Sequence, residues 1–98
     1  MFWSKFFVVR QGVLLAICDQ DLMGKKIKSD DHEIEIKENF YGGKIIEDEE
    51  TVVKLMKACT IANLIGENII DISKKHGFIT EENIIFIGGV PHAQFVKL

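Results

Sequence analysis

The stretch that decides the fold is FFVVRQGVLLAIC, residues 6–18. Its first five residues are mostly aromatic and β-branched, which favours a strand. Gln11 and Gly12 are typical of a tight turn. Residues 13–18 form a continuous apolar run, which indicates a second strand that is buried on both faces. The stretch therefore predicts a β-hairpin with one strand inside a sheet.

Further short strands are predicted along the rest of the chain. Between the hairpin and the next strand, Asp19 is expected to cap a single helical turn that Gly24 ends. Residues 33–37 alternate strictly, with Ile34 and Ile36 on one face, as in a half-exposed antiparallel strand. Residues 38–43 are expected to form a loop and residues 80–83 one capped turn. The remaining strands are predicted at residues 44–46, 84–87 and 93–97.

Residues 48–76 have the pattern of one long helix. Four acidic residues at positions 47–50 complement the positive end of a helix. Lys74, Lys75 and His76 followed by Gly77 form a stop signal. Such a helix exceeds the usual length, and Gly66 lowers its propensity. We expect a kink or a break between residues 60 and 66.

These elements predict an α+β fold. Five or six short, mostly antiparallel strands would pack on one broken helix or on two helices. The 98 residues fit one globular domain over residues 1–98, and a hydrophobic fraction of 47% is enough for a core.

Composition and charge limit the function and the compartment. The net charge of −3 does not favour direct binding to nucleic acid, which needs many basic residues. Cys18 and Cys59 lie in apolar and helical patterns and are expected to be reduced core thiols. No apolar run reaches membrane-spanning length, and residues 1–10 lack the features of a signal peptide, so a cytoplasmic protein without membrane association is expected.

No cofactor and no metal are expected. The sequence has neither a phosphate-binding loop nor a dinucleotide-binding glycine motif, and it has no pair of closely spaced cysteines. Asp30, Asp31, His32 and Glu33 include metal-ligand types, but an acidic hairpin turn explains them better.

The motif GGVPHAQ, residues 88–94, is the first candidate site. Gly88 and Gly89 allow close approach of a ligand or chain. Pro91 restricts the backbone and would hold His92 in a defined place within a loop of residues 88–92, with Gln94 close behind. A histidine can act as acid, base or ligand near neutral pH. A structural corner between strands, a binding loop and a catalytic loop all fit this motif.

Two further segments are candidates. Thr60 and Asn63 either tie the helix to the glycine-rich loops or line a site together with His92. Phe40 and Tyr41, followed by Gly42 and Gly43, either stack on a base or peptide or form a satellite core beside a turn.

A cysteine-nucleophile triad of Cys59, Asn63 and His92 has the correct residue types. It is not favoured, because Cys59 is expected to be buried in a helix.

The chain resembles the archaeal domain-of-unknown-function family numbered 424. The resemblance runs almost from end to end. It is carried by AICD at residues 16–19 with LMGK at residues 22–25, FYGG at residues 40–43, TIANLIGE at residues 60–67 and IGGVPHAQ at residues 87–94. It implies a small archaeal cytoplasmic protein with no established activity, and it carries an association with translation and other information processing.

Three functions remain open. The first is a non-enzymatic module that binds a protein or ribonucleoprotein through a surface built from the three motifs, where the acidic balance suits a basic partner. The second is a small-molecule or nucleotide-binding enzyme with His92 as acid/base and with Asn63 and Thr60 orienting the substrate. In the third, the motifs only close the fold. An enzyme is the less favoured class, and the oligomeric state stays open.

Overall fold

The structure is a computed structural model that describes residues 1–31 and 33–97. Its strands are β1 (Phe2–Val9), β2 (Gly12–Asp19), β3 (Lys26–Lys28), β4 (Glu33–Glu35), β5 (Lys44–Ile46), β6 (Ile61–Ile65), β7 (Ile84–Ile87) and β8 (Val90–Val96). Its α-helices are α1 (Glu38–Tyr41), α2 (Glu49–Ala58) and α3 (Glu67–Lys75). Single 3-10 turns lie at Gln20–Leu22 and Glu81–Asn83. The α+β class is confirmed.

Six strands form one mixed sheet in the order β5-β1-β2-β6-β8-β7. The β2–β6 pair is parallel, and the other four neighbouring pairs are antiparallel. Strands β3 and β4 form a separate two-stranded sheet. The predicted hairpin is confirmed as β1 and β2, and the second strand is buried from Leu15 to Asp19 as its apolar run predicts.

The large sheet has two different faces. Helices α2 and α3 pack on one face, where Leu15, Val52, Met56, Leu64 and Ile69 form a fully buried core. We call this the helical face. Parts of β3, β4 and α1 pack on the opposite face over a second cluster that consists of Ala16, Cys18, Leu22, Ile27, Ile36, Tyr41, Ile65 and Ile87. They cover only part of that face.

The expected break between residues 60 and 66 is present, since α2 and α3 are two separate helices. The segment between them is a strand that the sequence did not predict, because β6 crosses the middle of the sheet there. Ala62 and Leu64 point to the helical core while Asn63 points to the opposite face, so the helical spacing was fortuitous. Pairing with β2 and β8 overrides local propensity.

Several other boundaries also differ from the predictions. The described residues contain eight strands rather than five or six. The expected loop at residues 38–43 contains α1. Strand β8 begins at Val90, so Pro91 and His92 lie in a strand and not in a loop. His32, which belongs to the disfavoured metal cluster, lies outside the described residues.

Asp19 caps α3 rather than the adjacent helical turn. Its two carboxylate oxygens accept hydrogen bonds from the backbone N–H groups of Asn68 and Ile69, each at 2.9 Å. The side chain makes no cap at Gln20–Leu22. Gly66 permits this contact, since its φ is +123° and a Cβ there would lie 2.3 Å from the Asp19 carboxyl carbon. We call this arrangement the Asp19 cap.

Two other predictions, the end of the helix and the free cysteines, are confirmed. Helix α3 is capped at His76 and is followed by Gly77 with φ +78°. Cys18 and Cys59 are free and buried. No helix in residues 1–31 and 33–97 is long and apolar enough to cross a membrane.

Candidate functional site

Side chains from the three predicted motifs meet in one hydrogen-bond network. The Tyr41 hydroxyl donates to Asn63 Oδ1 at 2.9 Å. His92 Nε2 lies 3.1 Å from the same Asn63 oxygen. We call these three residues the Tyr-Asn-His network. The convergence of Asn63 and His92 that the sequence suggested is therefore present, with Tyr41 as a third member.

The fold positions each member from a different element. Tyr41 ends α1, which is held on the sheet because the ring of Phe40 stacks on Phe7 with centroids 5.4 Å apart. Asn63 lies in the middle of β6, and His92 lies in the adjacent strand β8 opposite Ile65. The antiparallel register between β6 and β8 thus sets the distance between Asn63 and His92.

The network fixes one tautomer of His92. An amide oxygen only accepts hydrogen bonds, so His92 Nε2 must carry the proton and Nδ1 is the basic nitrogen. Burial lowers the pKa of His92 below its ordinary value of 6.5. At neutral pH the ring is therefore uncharged.

Two polar atoms of the network remain available at the surface. Within residues 1–31 and 33–97, neither the Asn63 amide nitrogen nor His92 Nδ1 has a hydrogen-bond partner. Every fully buried side-chain N or O atom in that part of the chain does have one, so these two atoms contact solvent. The network thus offers one donor group and one acceptor to a bound molecule.

An apolar row adjoins the network on the same face of the sheet. The strand registers place Phe7, Leu14, Ile61 and Val96 side by side across four strands. Val96 is 60% exposed, and Ile85, opposite His92, is 51% exposed. Gln94 lies opposite Asn63 and is exposed. We call the surface formed by these six residues the open face: Phe7, Leu14, Ile61, Ile85, Gln94 and Val96.

The rest of the GGVPHAQ motif builds the β7–β8 hairpin. Gly88 and Gly89 form its two-residue turn, with φ of +56° and +80°, as the favoured hairpin turns require. The turn packs on β3, because a Cβ at Gly88 would lie 2.5 Å from the Lys28 carbonyl oxygen. Pro91 has no N–H to donate to the sheet. The loss is small, because the backbone of Pro91 faces Gly66, just beyond the end of β6, where its carbonyl still accepts from Gly66 N–H at 3.0 Å.

Thr60 is not part of this site. It lies just before β6, where its hydroxyl bonds to the backbone N–H and C=O of Val13 at 2.8 and 3.0 Å. The structure thus brings Asn63 and His92 together, whereas Thr60 connects the start of β6 to β2 through hydrogen bonds. Cys59 follows α2 and packs in the helical core, away from Asn63.

Gly42 and Gly43 connect α1 to β5. Gly42 N–H donates to the carbonyl of Glu38 at 2.7 Å and closes α1. Gly43 passes so close to β1 that a Cβ would lie 2.5 Å from the Ser4 carbonyl oxygen. These glycines position Tyr41 but present no side chain to the open face.

Burial keeps the Cys18 thiol and the Tyr41 hydroxyl protonated. It raises the pKa of the Cys18 thiol to about 12 and also raises the pKa of Tyr41. A thiol in this state is a poor nucleophile. The described residues contain no group of three or more His, Cys, Asp or Glu that would hold a metal ion. The arrangement therefore suits hydrogen bonding and apolar contact.

The sequence interpretation missed most of the open face. Ile85 and Val96 belong to predicted strands, and a two-residue period within each strand could have flagged their side chains. Phe7 and Leu14 lie in the predicted hairpin, but their exposure depends on how far α1 and the β3–β4 hairpin extend over the sheet.

The fold and site define a small α+β protein with a partly uncovered sheet face bordered by a polar network. The family model described as protein of unknown function (DUF424) matches residues 8–98, and the chain belongs to this family.

A solved structure also resembles the chain over almost its full length. The crystal structure of an uncharacterized conserved protein from Methanopyrus kandleri matches it with a TM-score of 0.82 and 28% identity, covering 99% of this chain and 93% of that one. No curated protein matches the chain.

Proposed function

We propose that the chain is a cytoplasmic binding module that docks on a protein partner through the open face. The observation that supports this is the meeting of three motif segments in one network at the border of a half-exposed apolar row. A protein interface combines an apolar centre with a few directed polar groups. The open face and the two free atoms of the Tyr-Asn-His network have this composition.

The chemistry of the open face favours protein over nucleic acid. Its six residues are uncharged, whereas the phosphate backbone is bound by lysine and arginine. The adjacent Lys5 ammonium is engaged by the carbonyl of Asn39 at 3.0 Å. The partner is thus a protein, free or as the protein component of a ribonucleoprotein, and a translation-related setting agrees with the family resemblance.

The overall acidity of the chain plays a different part. The acidic residues lie outside the open face, so the net charge of −3 steers a basic partner over longer distances rather than forming the contact. The contact itself depends on apolar burial and on hydrogen bonds from Asn63 and to His92.

The proposal is tested with a double variant, Ile85→Glu with Val96→Glu. Both side chains are more than half exposed, so we expect the melting temperature to stay within about 3 °C of the parent protein. A tagged copy expressed in its native cells should lose the protein that co-purifies stoichiometrically with the parent. Phe86→Glu is the matched control, because Phe86 is 67% exposed on the opposite face of β7 and the control should retain the partner.

Two results would contradict the proposal. Retention of the same partner by the double variant, at the same stoichiometry as the parent, would contradict the claim that the open face is the contact. Loss of that partner from the Phe86→Glu control as well would show that added negative charge, rather than the open face, is responsible.

A second candidate is an enzyme that uses His92 as acid/base on a small molecule or nucleotide. The hydrogen bond between Asn63 and His92 favours it, since it fixes the tautomer and leaves Nδ1 as a base. Thr60 would take no part in orienting the substrate. A panel of nucleotides and metabolites tests this candidate: one compound should raise the melting temperature of the parent but not that of His92→Gln.

In a third candidate, the motifs only close the fold. Asn63→Leu would then lower stability, while the Ile85→Glu, Val96→Glu double variant would keep every partner. The same capture experiment therefore separates this candidate from the first.

A further inference from the structure

Residues 5–9, at the C-terminal end of β1, form a free edge of the large sheet. Strand β5 pairs with β1 only from Phe2 to Ser4, after which the chain leaves the sheet toward Gly43 and α1. In the part of the chain that the structure describes, residues 5–9 of β1 pair on one side only, with β2.

The direction of the free backbone groups follows from the register. Gln20 N–H donates to the carbonyl of Met1, so the N–H and C=O groups of Met1 point toward β2. These groups alternate sides along an antiparallel strand. Those of Phe6 and Val8 therefore point away from β2, into the space beyond the end of β5.

A cleft of about 720 Å³ opens beside this edge. It lies between the sheet and α2, and its apolar lining residues are Phe6, Ile45, Ile46 and Leu55. A strand that continued β5 past Phe6 would direct one side chain into the cleft, because paired residues project to the same face of a sheet. The volume is within the range of pockets that bind ligands, roughly 300–1,000 Å³.

Two acidic and two basic side chains line the cleft, namely Glu47 and Asp48, and Lys5 and Lys44. Glu47 and Asp48 line it on the side of α2. Hydrogen bonds from Thr51 lower the pKa of Asp48, which therefore stays ionised at neutral pH. On the opposite side, Lys5 turns its ammonium to the Asn39 carbonyl, which leaves Lys44 as the nearest exposed cation. The side of the cleft formed by Glu47 and Asp48 is therefore complementary to a basic residue.

We propose that this edge binds an extended peptide segment of a partner protein as an added strand. The segment pairs with Phe6 and Val8, places an aliphatic side chain in the cleft and sets a basic residue against Glu47 and Asp48. This is β-strand addition, in which backbone bonds supply affinity and the cleft supplies selectivity. The site is separate from the open face and does not depend on the proposed function.

A second copy of the chain fits this edge less well. Only five residues of β1 are free, and an interface limited to such short edges falls below the roughly 1,200 Å² of a stable dimer. The cleft and its carboxylates favour a thin, basic peptide.

The test uses a phage-displayed library of random ten-residue peptides, selected against the intact protein. We expect enriched peptides to contain alternating aliphatic residues flanked by lysine or arginine. A synthetic copy of the most enriched peptide should shift the NMR resonances of the Phe6 and Val8 amides and slow their exchange with solvent.

Val8→Pro removes one outward N–H and should weaken peptide binding at least tenfold. The N–H lost does not belong to the β1–β2 ladder, so the variant should keep its fold. Val8→Thr is the matched control, which retains the N–H and should bind the peptide normally. Leu55→Lys, which places a charge in the cleft, gives an independent loss of binding without altering β1.

Three results would overturn the proposal. The first is that no peptide is enriched. The second is that Val8→Pro and Leu55→Lys bind the peptide as tightly as the parent. The third is that a dimer of the free protein protects the Phe6 and Val8 amides. The last result would assign the edge to a second copy, with sedimentation as its readout. Failure here leaves the open face untouched, because the Ile85→Glu, Val96→Glu variant does not alter this edge.

Discussion

The Asp19 cap and the Tyr-Asn-His network both connect distant parts of the chain, but they leave different groups free. The Asp19 carboxylate is buried, and both of its oxygens bond to the N-terminus of α3. In the network, Asn63 accepts two hydrogen bonds while its amide nitrogen and His92 Nδ1 stay accessible. The cap uses both oxygens of its carboxylate within the fold, whereas the network leaves two polar atoms accessible at the surface.

The largest effect is expected for Gly66→Ala, which breaks the Asp19 cap. The new Cβ would displace the Asp19 carboxylate and force alanine into a backbone region that is almost restricted to glycine. Overpacking and backbone strain together should cost about 4 kcal/mol, measured by urea unfolding. Gly77→Ala has φ +78° and no neighbour within 4 Å, so strain alone should cost about 1 kcal/mol. Equal losses in the two variants would contradict the steric role of Gly66.

A smaller loss is expected for Asn63→Leu, which breaks the Tyr-Asn-His network. The Tyr41 hydroxyl and His92 Nε2 lose their acceptor, so the free energy of unfolding should fall by about 2 kcal/mol. Gln94→Leu is the matched control on the same face, because Gln94 lies opposite Asn63 but is exposed. Its free energy of unfolding should change by less than about 0.5 kcal/mol. If Gln94→Leu lost as much stability as Asn63→Leu, the result would contradict a stabilising role for the Tyr-Asn-His network.

Tyr41→Phe should cost less again. It removes one hydrogen bond but leaves the ring, its contact with Phe40 and the bond from His92 to Asn63 in place. We expect a loss of about 1 kcal/mol in urea unfolding. The double variant Tyr41→Phe, Asn63→Leu should be no less stable than Asn63→Leu alone, since the hydroxyl no longer has an acceptor to lose. Fully additive losses would contradict the bond.

The mildest effect is the pH dependence caused by His92. Its folded pKa lies below 6.5, so the folded state disfavours the proton that the unfolded state binds. The His92 contribution is therefore fully present above pH 6.5 and is lost as the pH falls through the lowered folded pKa. Between pH 7 and pH 5 the parent should lose more stability than His92→Gln. An identical pH dependence in the two proteins would contradict the lowered pKa.

The sequence predicted the hairpin and the strands that carry their own local pattern. Residues 13–18 are apolar without interruption and residues 33–37 alternate, so neighbouring residues alone indicate strands there. Strand β6 could not be predicted in this way, because the spacing of Ala62, Asn63 and Gly66 also matches the buried face of a continuing helix. Only pairing with β2 and β8, which are distant in the chain, makes it a strand.

The candidate site was predicted in part for the same reason. Asn63 and His92 were singled out by residue type, but their contact depends on the β6–β8 register. Tyr41 was expected to be a core aromatic, and its hydroxyl reaches Asn63 only because α1 stands over the sheet. Thr60 was expected either to make a structural contact or to line a site with Asn63 and His92, and in the structure its hydroxyl bonds to Val13 of β2.

The most direct measurement is photocrosslinking from the open face in native cells. A photoreactive phenylalanine analogue is placed at Gln94, and the same analogue is placed at Lys57, which is exposed at the end of α2. The account predicts one abundant protein crosslinked from position 94 and absent from position 57. That crosslink should disappear in the Ile85→Glu, Val96→Glu variant. No crosslink from position 94, or the same proteins crosslinked from both positions, would contradict the claim that the open face is a docking surface.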